Sequence, residues 1–332
     1  MVNVSNRTRA ILRAAGVLAI TAAALQCTNA AAPTGPRPIN SPDPSPTGGA
    51  SKPRPVDPTR TAIPAVEAAV QAARDGAALP TRLVPPPADL RDDRYGPGPT
   101  PPCWALRDDP RLLEKCTLFG DGPRGTIALV GDSHAQEWLP AIAWMAERDG
   151  WNLVPLWHQG CWPATYDAGR ECEEYFRWAE DEVRTLQPDV VLLGGTLTYA
   201  TQGVIDHTTR GISSLVAAMG PDAGRVVVIG DPPALEFQPD ECLLGGGATL
   251  ATCTSTLSPA QISVYLAAER ATTHAGAAFL DTISWFCFER QCPSVVGHTV
   301  TYREHDHITA TYATERRGLF RDAFIQGVAK AP

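Results

Sequence analysis

Along most of this chain, short apolar runs alternate with stretches of helical period. The runs 127–130, 151–156, 190–193, 225–230 and 277–280 are bounded by glycine, proline or polar residues. Continuous runs of that length suit strands buried on both faces. Between them, apolar residues recur one helical turn apart, as at Ala135, Trp138, Leu139, Ile142 and Met145. The same period predicts helices over 173–186, over 203–219, from an N-capping Ser258 to about His274, and over 310–328 behind Thr309. Strands that alternate with helices predict an α/β fold with a parallel sheet covered on both faces. Residues 231–257, with Pro232-Pro233 and Gly245–Gly247, read as one long loop.

The first hundred residues break that rhythm. Arg7, Arg9 and Arg13 precede a 12-residue apolar stretch, 14–25, and then small residues, the order of an export signal. Cleavage is expected near Ala30 or Ala32, and Cys27 offers a lipid anchor as the alternative. Residues 33–61 are rich in Pro, Ser and Thr and hold too little apolar surface to offset chain entropy. The expected organisation is therefore a signal peptide over 1–30, a disordered Pro-rich tether over 31–61, and one folded domain over 62–330. That domain opens with a short amphipathic helix (Ile63, Val66, Val70, Ala73) and a Pro-rich passage, 79–102, that hugs the surface without regular structure.

Charge and cysteine content narrow the setting. Residues 1–61 hold 7 of the 28 Lys and Arg and 2 of the 36 Asp and Glu, which leaves 21 against 34, a formal charge of about −13. An acidic surface excludes nucleic acid as the main partner. Beyond Cys27, eight cysteines form four close pairs: Cys103 with Cys116, Cys161 with Cys172, Cys242 with Cys253, and Cys287 with Cys292. With no Cys-x-x-Cys spacing, they read as local disulfides of an exported protein rather than as zinc ligands.

The chemistry gathers at two stretches. Gly131-Asp132-Ser133-His134-Ala135 lies where the first strand turns into its helix, the sheet edge at which open α/β proteins place ligands. Near the far end, Tyr302-Arg-Glu-His-Asp-His-Ile-Thr309 packs acids and histidines together. Serine, histidine and carboxylate are the parts of a nucleophilic acyl-transfer site. Two histidines around one aspartate could also hold a metal, but no third ligand is apparent, and no metal or cofactor is expected.

On these two motifs, and on the Cys292-Pro293 that precedes the second, the chain resembles the SGNH (GDSL-like) hydrolase superfamily. It is most similar to the SGNH domain fused to bacterial membrane acyltransferases of the acyltransferase-three family. The resemblance covers roughly residues 62–330 and implies a three-layer α/β/α sandwich. It makes Ser133 the nucleophile and His307, rather than His305, the base. Glu304 stands where the family has aspartate, so Glu304 or Asp306 orients His307, with Glu304 favoured and a Ser133–His307 dyad as the further alternative. The oxyanion donors it implies are the N–H of Ser133, Gly160 and, where the superfamily has asparagine, a donor that is here either missing or replaced by Thr196. Of the tryptophans 138, 157, 162 and 285, only Trp162 is expected to face substrate. The expected function is extracytoplasmic O-acyl transfer, most simply of acetyl, to or from a cell-envelope glycan through an acyl-Ser133 intermediate. A separate membrane acyltransferase would be the acyl donor. A non-catalytic glycan-binding module and a secreted carbohydrate esterase are the alternatives.

Overall fold

In the computed structural model, residues 57–94, 103–166, 169–197 and 202–330 are described. Five parallel strands form the central sheet: β1 (Gly125–Val130), β2 (Trp151–Pro155), β3 (Val190–Leu193), β4 (Arg225–Ile229) and β6 (Ala278–Leu280). Their order is β2-β1-β3-β4-β6. In register, Ile127 of β1 lies between Leu153 of β2 and Val190 of β3. Because side chains alternate across a strand, each strand feeds two cores. Ile127, Leu129, Val190 and Val227 face α4 (Leu139–Asp149), α9 (Ala310–Glu315) and α10 (Arg317–Lys330). Ala128, Val130, Val191 and Val228 face α5 (Arg170–Leu186), α6 (Gln202–Met219) and α8 (Pro259–His274). Each fully buried aliphatic side chain contributes about 1.5–3 kcal/mol. The result is the expected three-layer α/β/α arrangement.

This strand order reverses direction between β1 and β3, since β2 lies outside β1 and the remaining strands continue beyond β3. A crevice opens at such a switch point, above the carboxyl ends of the two strands. Ser133 follows β1 there and Thr196 follows β3.

Several boundaries differ from the pattern-based expectation, each for a local reason. The helix after Ser133 is two helices, α3 (Ser133–Gln136) and α4. Pro140 lacks the N–H that would bond the Gln136 carbonyl, so the first helix ends and a second starts from Trp138. The described residues begin at Asp57, inside the expected tether. Asp57 caps a turn over Pro58–Arg60, and the main chain at Glu289 and Arg290 bonds the buried Thr59. The helix α1 (Pro64–Arg74) starts on Pro64 as expected, and a short α2 (Leu112–Cys116) ends on a disulfide cysteine. In the Pro-rich passage, a 3-10 turn over Pro87–Asp92 buries Leu90 completely. Asp93 then accepts hydrogen bonds from the main chain of Ala310 and Thr311, the first turn of α9. The loop 231–257 contains α7 (Pro239–Leu244) and β5 (Thr254–Thr256), and β5 pairs antiparallel with β7 (Gln291–Pro293). A two-residue hairpin, β8 (Val295–Val296) and β9 (Thr299–Val300), leads toward the second motif.

All four disulfides form in the expected pairing, closing spans of 13, 11, 11 and 5 residues. No helix among the described residues is long and apolar enough to cross a membrane. The expected export signal, Cys27, most of the expected tether and residues 95–102 lie outside the described residues.

Candidate active site

Ser133 is presented by a turn that tolerates almost no substitution. Gly131 has φ of +140°, and a Cβ there would stand 1.9 Å from the Gly194 carbonyl oxygen of the neighbouring strand end. The buried Tyr175 hydroxyl accepts from Gly131 N–H and reaches its carbonyl, both at 2.9 Å. Asp132 caps α3: its Oδ1 accepts from the His134 N–H at 2.8 Å. The next residue, Ser133, is the first of that helix.

The second motif folds into a tight loop. Tyr302 and Ile308 form an antiparallel bridge, and Arg303 N–H donates to the His307 carbonyl at 2.9 Å. The Tyr302 hydroxyl reaches across to the Pro233 carbonyl at 2.7 Å, and Thr309 caps α9. Held this way, His307 Nε2 lies 3.0 Å from Ser133 Oγ. On the other side of the ring, Nδ1 makes a 3.0 Å hydrogen bond with Asp306 Oδ1. Glu304 Oε2 is 3.2 Å from the same nitrogen and 3.1 Å from Arg303 Nη1. Sequence reading favoured Glu304, because it occupies the family position three residues before the histidine. The structure instead gives the hydrogen bond to the more buried Asp306 and divides Glu304 between His307 and Arg303. Burial works to raise the Asp306 pKa, but the bond with His307 and the nearby His307, His134 and His305 outweigh it and hold Asp306 well below the ordinary carboxylate range. His305 is 40% exposed and bonds Gln238.

The remaining expectations separate. Ser133 and Gly160 donate no main-chain N–H to any described residue, and Gly160 has φ of +78°. Thr196 does not fit the expected oxyanion role: its N–H and hydroxyl both donate to Asp132 Oδ2, at 3.2 and 2.8 Å. With both donors committed, Thr196 braces Asp132 in the turn that carries Ser133. Trp138, Trp157 and Trp285 are core residues, with Trp138 packed edge-on against Trp285 at 5.6 Å. Trp162 is half-buried in the loop closed by Cys161 and Cys172, beside Gly195.

Behind the serine lies a buried charged cluster that sequence reading missed. His134 Nδ1 is 2.7 Å from Asp231 Oδ1, while Asp231 Oδ2 accepts from Leu197 N–H at 2.8 Å. The His134 ring lies against that of His307, with centroids 4.5 Å apart. Burial disfavours a charge on His134, yet Asp231, Glu137 and Asp132 raise its pKa well above the ordinary 6.5. Glu137 Oε2 accepts from Ile308 N–H at 2.9 Å. The signal was present: a histidine and a glutamate within the apolar period that follows Ser133, and an aspartate directly after an apolar strand. Donor atoms of His134, Asp306 and His307, and of His134, Glu137 and Asp231, lie within 4.8 Å of one another. Their hydrogen bonds to each other and to Ser133 already commit His307 and His134 Nδ1.

The family model described as the SGNH domain fused to AT3 domains matches residues 102–322. No curated protein matches the chain. Among solved structures, the acetylxylan esterase of Geobacillus stearothermophilus is similar at 12% identity and a TM-score of 0.37, covering 63% of this chain and 95% of that one. An alpha/beta hydrolase from the metagenome of Lake Arreo, Spain, is similar at 12% identity and a TM-score of 0.37, covering 64% and 99%. With two thirds of its length matched by that one model, the chain belongs to the SGNH-domain family of the kind fused to AT3 domains.

Proposed function

We propose that this chain is a serine-dependent O-acyl transfer enzyme that moves acetyl-sized acyl groups to or from a cell-envelope glycan outside the cytoplasm. The observation that carries this reading is the line Ser133 Oγ, His307 Nε2, His307 Nδ1, Asp306 Oδ1, with 3.0 Å at each contact. His307 takes the hydroxyl proton as Ser133 Oγ attacks the acyl carbonyl, and the new imidazolium is held by Asp306. The tetrahedral oxyanion is met by the N–H groups of Ser133 and Gly160. Each such donor is worth roughly 10²–10³ in rate. His307 then gives its proton to the leaving alcohol and leaves an acyl-Ser133 ester. A second alcohol or water, deprotonated by His307, discharges that ester and restores the hydroxyl.

Glycan is the proposed substrate because the half-buried Trp162 stands on the loop after β2, near the nucleophile turn, where an indole face can cover a sugar ring. Export fits four disulfides, which persist only in oxidising compartments. The family's fusion to AT3 domains supports a membrane acyltransferase as donor.

A fluorophosphonate probe tests the nucleophile. We expect one covalent adduct on Ser133 in the wild type, and none in Ser133→Ala or His307→Ala proteins that keep native circular dichroism. A folded wild type that takes up no probe would favour the non-catalytic glycan-binding module.

A further inference from the structure

Glu137 is the buried acid that the acyl-transfer scheme above does not use, and its surroundings are unusual. It stands one turn beyond Ser133, where the serine's carbonyl accepts the Glu137 N–H at 3.0 Å. Its side chain crosses to the other half of the site and accepts the N–H of Ile308, the residue that follows His307. One carboxylate thus joins the helix that carries the nucleophile to the main chain that carries the base. The residue is 2% exposed, and its second oxygen, Oε1, is buried without a hydrogen-bond partner. A carboxylate anion with one oxygen bare in a core is costly, whereas a protonated carboxyl leaves no unpaired charge.

We infer that Glu137 is a positioning residue of the acyl-transfer site: its protonated carboxyl staples the Ser133 helix to the His307 loop and holds the nucleophile and base in contact. The inference rests on the function proposed above. Groups face Glu137 from each element around it: His134 from its own turn, Asp231 beyond β4, and Tyr302 and Arg303 from the second motif. Burial pushes the Glu137 pKa upward, His134 opposes this, Asp231 adds to it, and the balance lies at about 8 against the ordinary 4.5. In neutral solution the staple therefore carries its proton. In alkaline solution it becomes an anion; Ile308 N–H and Arg303 favour that form, but repulsion from Asp231 and the bare Oε1 drive the carboxylate toward water and loosen the contact between the two halves of the site.

Two consequences follow, with different pH windows. Turnover depends on the population of protonated native protein, so it falls as pH rises through about 8. Stability depends on the difference from the unfolded chain. The native state holds an extra proton between 4.5 and about 8, so this contribution is complete below 4.5 and is lost progressively up to about 8.

The experiment uses the full chain, with p-nitrophenyl acetate as probe, and compares wild type, Glu137→Gln and Glu137→Ala. Glutamine keeps an acceptor for Ile308 and cannot ionise. We expect wild-type kcat to fall reversibly with a midpoint near pH 8 and the Gln variant to lack that fall, with kcat at pH 7 within about threefold of wild type. The Ala variant should lose at least about tenfold in kcat at pH 7 with KM within about twofold, the mark of a lost positioning contact. The same alkaline midpoint in the Gln variant, or wild-type kcat in the Ala variant, overturns the inference. Melting temperature from pH 5 to pH 8 gives a readout independent of activity: wild type should lose more stability across that interval than Glu137→Gln. If no protein turns over the ester at any pH, the acyl-transfer reading fails, and the inference fails with it as a statement about catalysis. Parallel melting curves show in either case that Glu137 does not hold the proton, and sink it.

Discussion

At the scale of single residues, the site separates two carboxylates that sequence alone left in competition. The Asp306 pKa is depressed, and this residue makes the hydrogen bond to His307. Glu304 shares its charge with Arg303. Asp306→Asn should therefore reduce kcat by about 10²–10⁴, since an amide facing Nδ1 stabilises the wrong tautomer and cannot neutralise the imidazolium. Glu304→Gln should cost no more than about tenfold. Steady-state kinetics on p-nitrophenyl acetate checks both, and a larger loss in the glutamine variant would return the role to Glu304. Spacing could not decide between them, because which carboxylate meets the His307 ring depends on the turn closed by the bond from Arg303 N–H to the His307 carbonyl. Ser133, His307 and the cysteine pairs were legible, since each carries a short-range motif. The Thr196 role was not, because the fate of its donors depends on how closely β3 approaches the nucleophile turn.

At the scale of elements, strand positions could be read from composition, while helix ends were decided by single residues. Val190–Leu193 can hardly be anything but a central strand, and its two faces do enter opposite cores. The break between α3 and α4 needs only the missing N–H of Pro140, a rule that was available but masked by the continuous apolar period through Trp138 and Leu139. The turn between β1 and α3 is the least forgiving element. At Gly131 an added methyl meets main chain, which cannot rotate away, and the φ of +140° is itself unfavourable for alanine. Gly131→Ala should lower stability by about 3 kcal/mol or more and abolish probe labelling of Ser133. Urea unfolding with circular dichroism measures the first, and an unchanged midpoint would show that β1 and β3 can separate at no cost.

At the scale of the whole molecule, the open question is the acceptor. An acyl-Ser133 ester is discharged by water or by a sugar hydroxyl through the same proton transfers, so the base and its carboxylate cannot choose between them. The choice rests on how long the site holds the sugar and how well it keeps water out, because a bound hydroxyl gains effective concentration that bulk water lacks. Three features bear on that balance. The loop carrying Trp162 is closed by the Cys161–Cys172 disulfide, which limits the backbone entropy it has to lose on binding sugar. Pro163 packs over Gly195, which keeps the loop close to the nucleophile turn. The 57–94 segment is built into the domain and braces α9 through Asp93, so the second motif is supported from two sides. If Trp162 covers a bound sugar as proposed, the sugar hydroxyl outcompetes free water, and we predict transfer as the dominant reaction. With an activated acetyl ester as donor, adding envelope glycan should yield acetylated glycan and suppress free acetate by at least about tenfold, and Trp162→Ala should restore acetate release while leaving acylation of Ser133 intact. Equal acetate release with and without glycan, and no acetylated product, would make this chain an esterase that removes the groups it is proposed here to install.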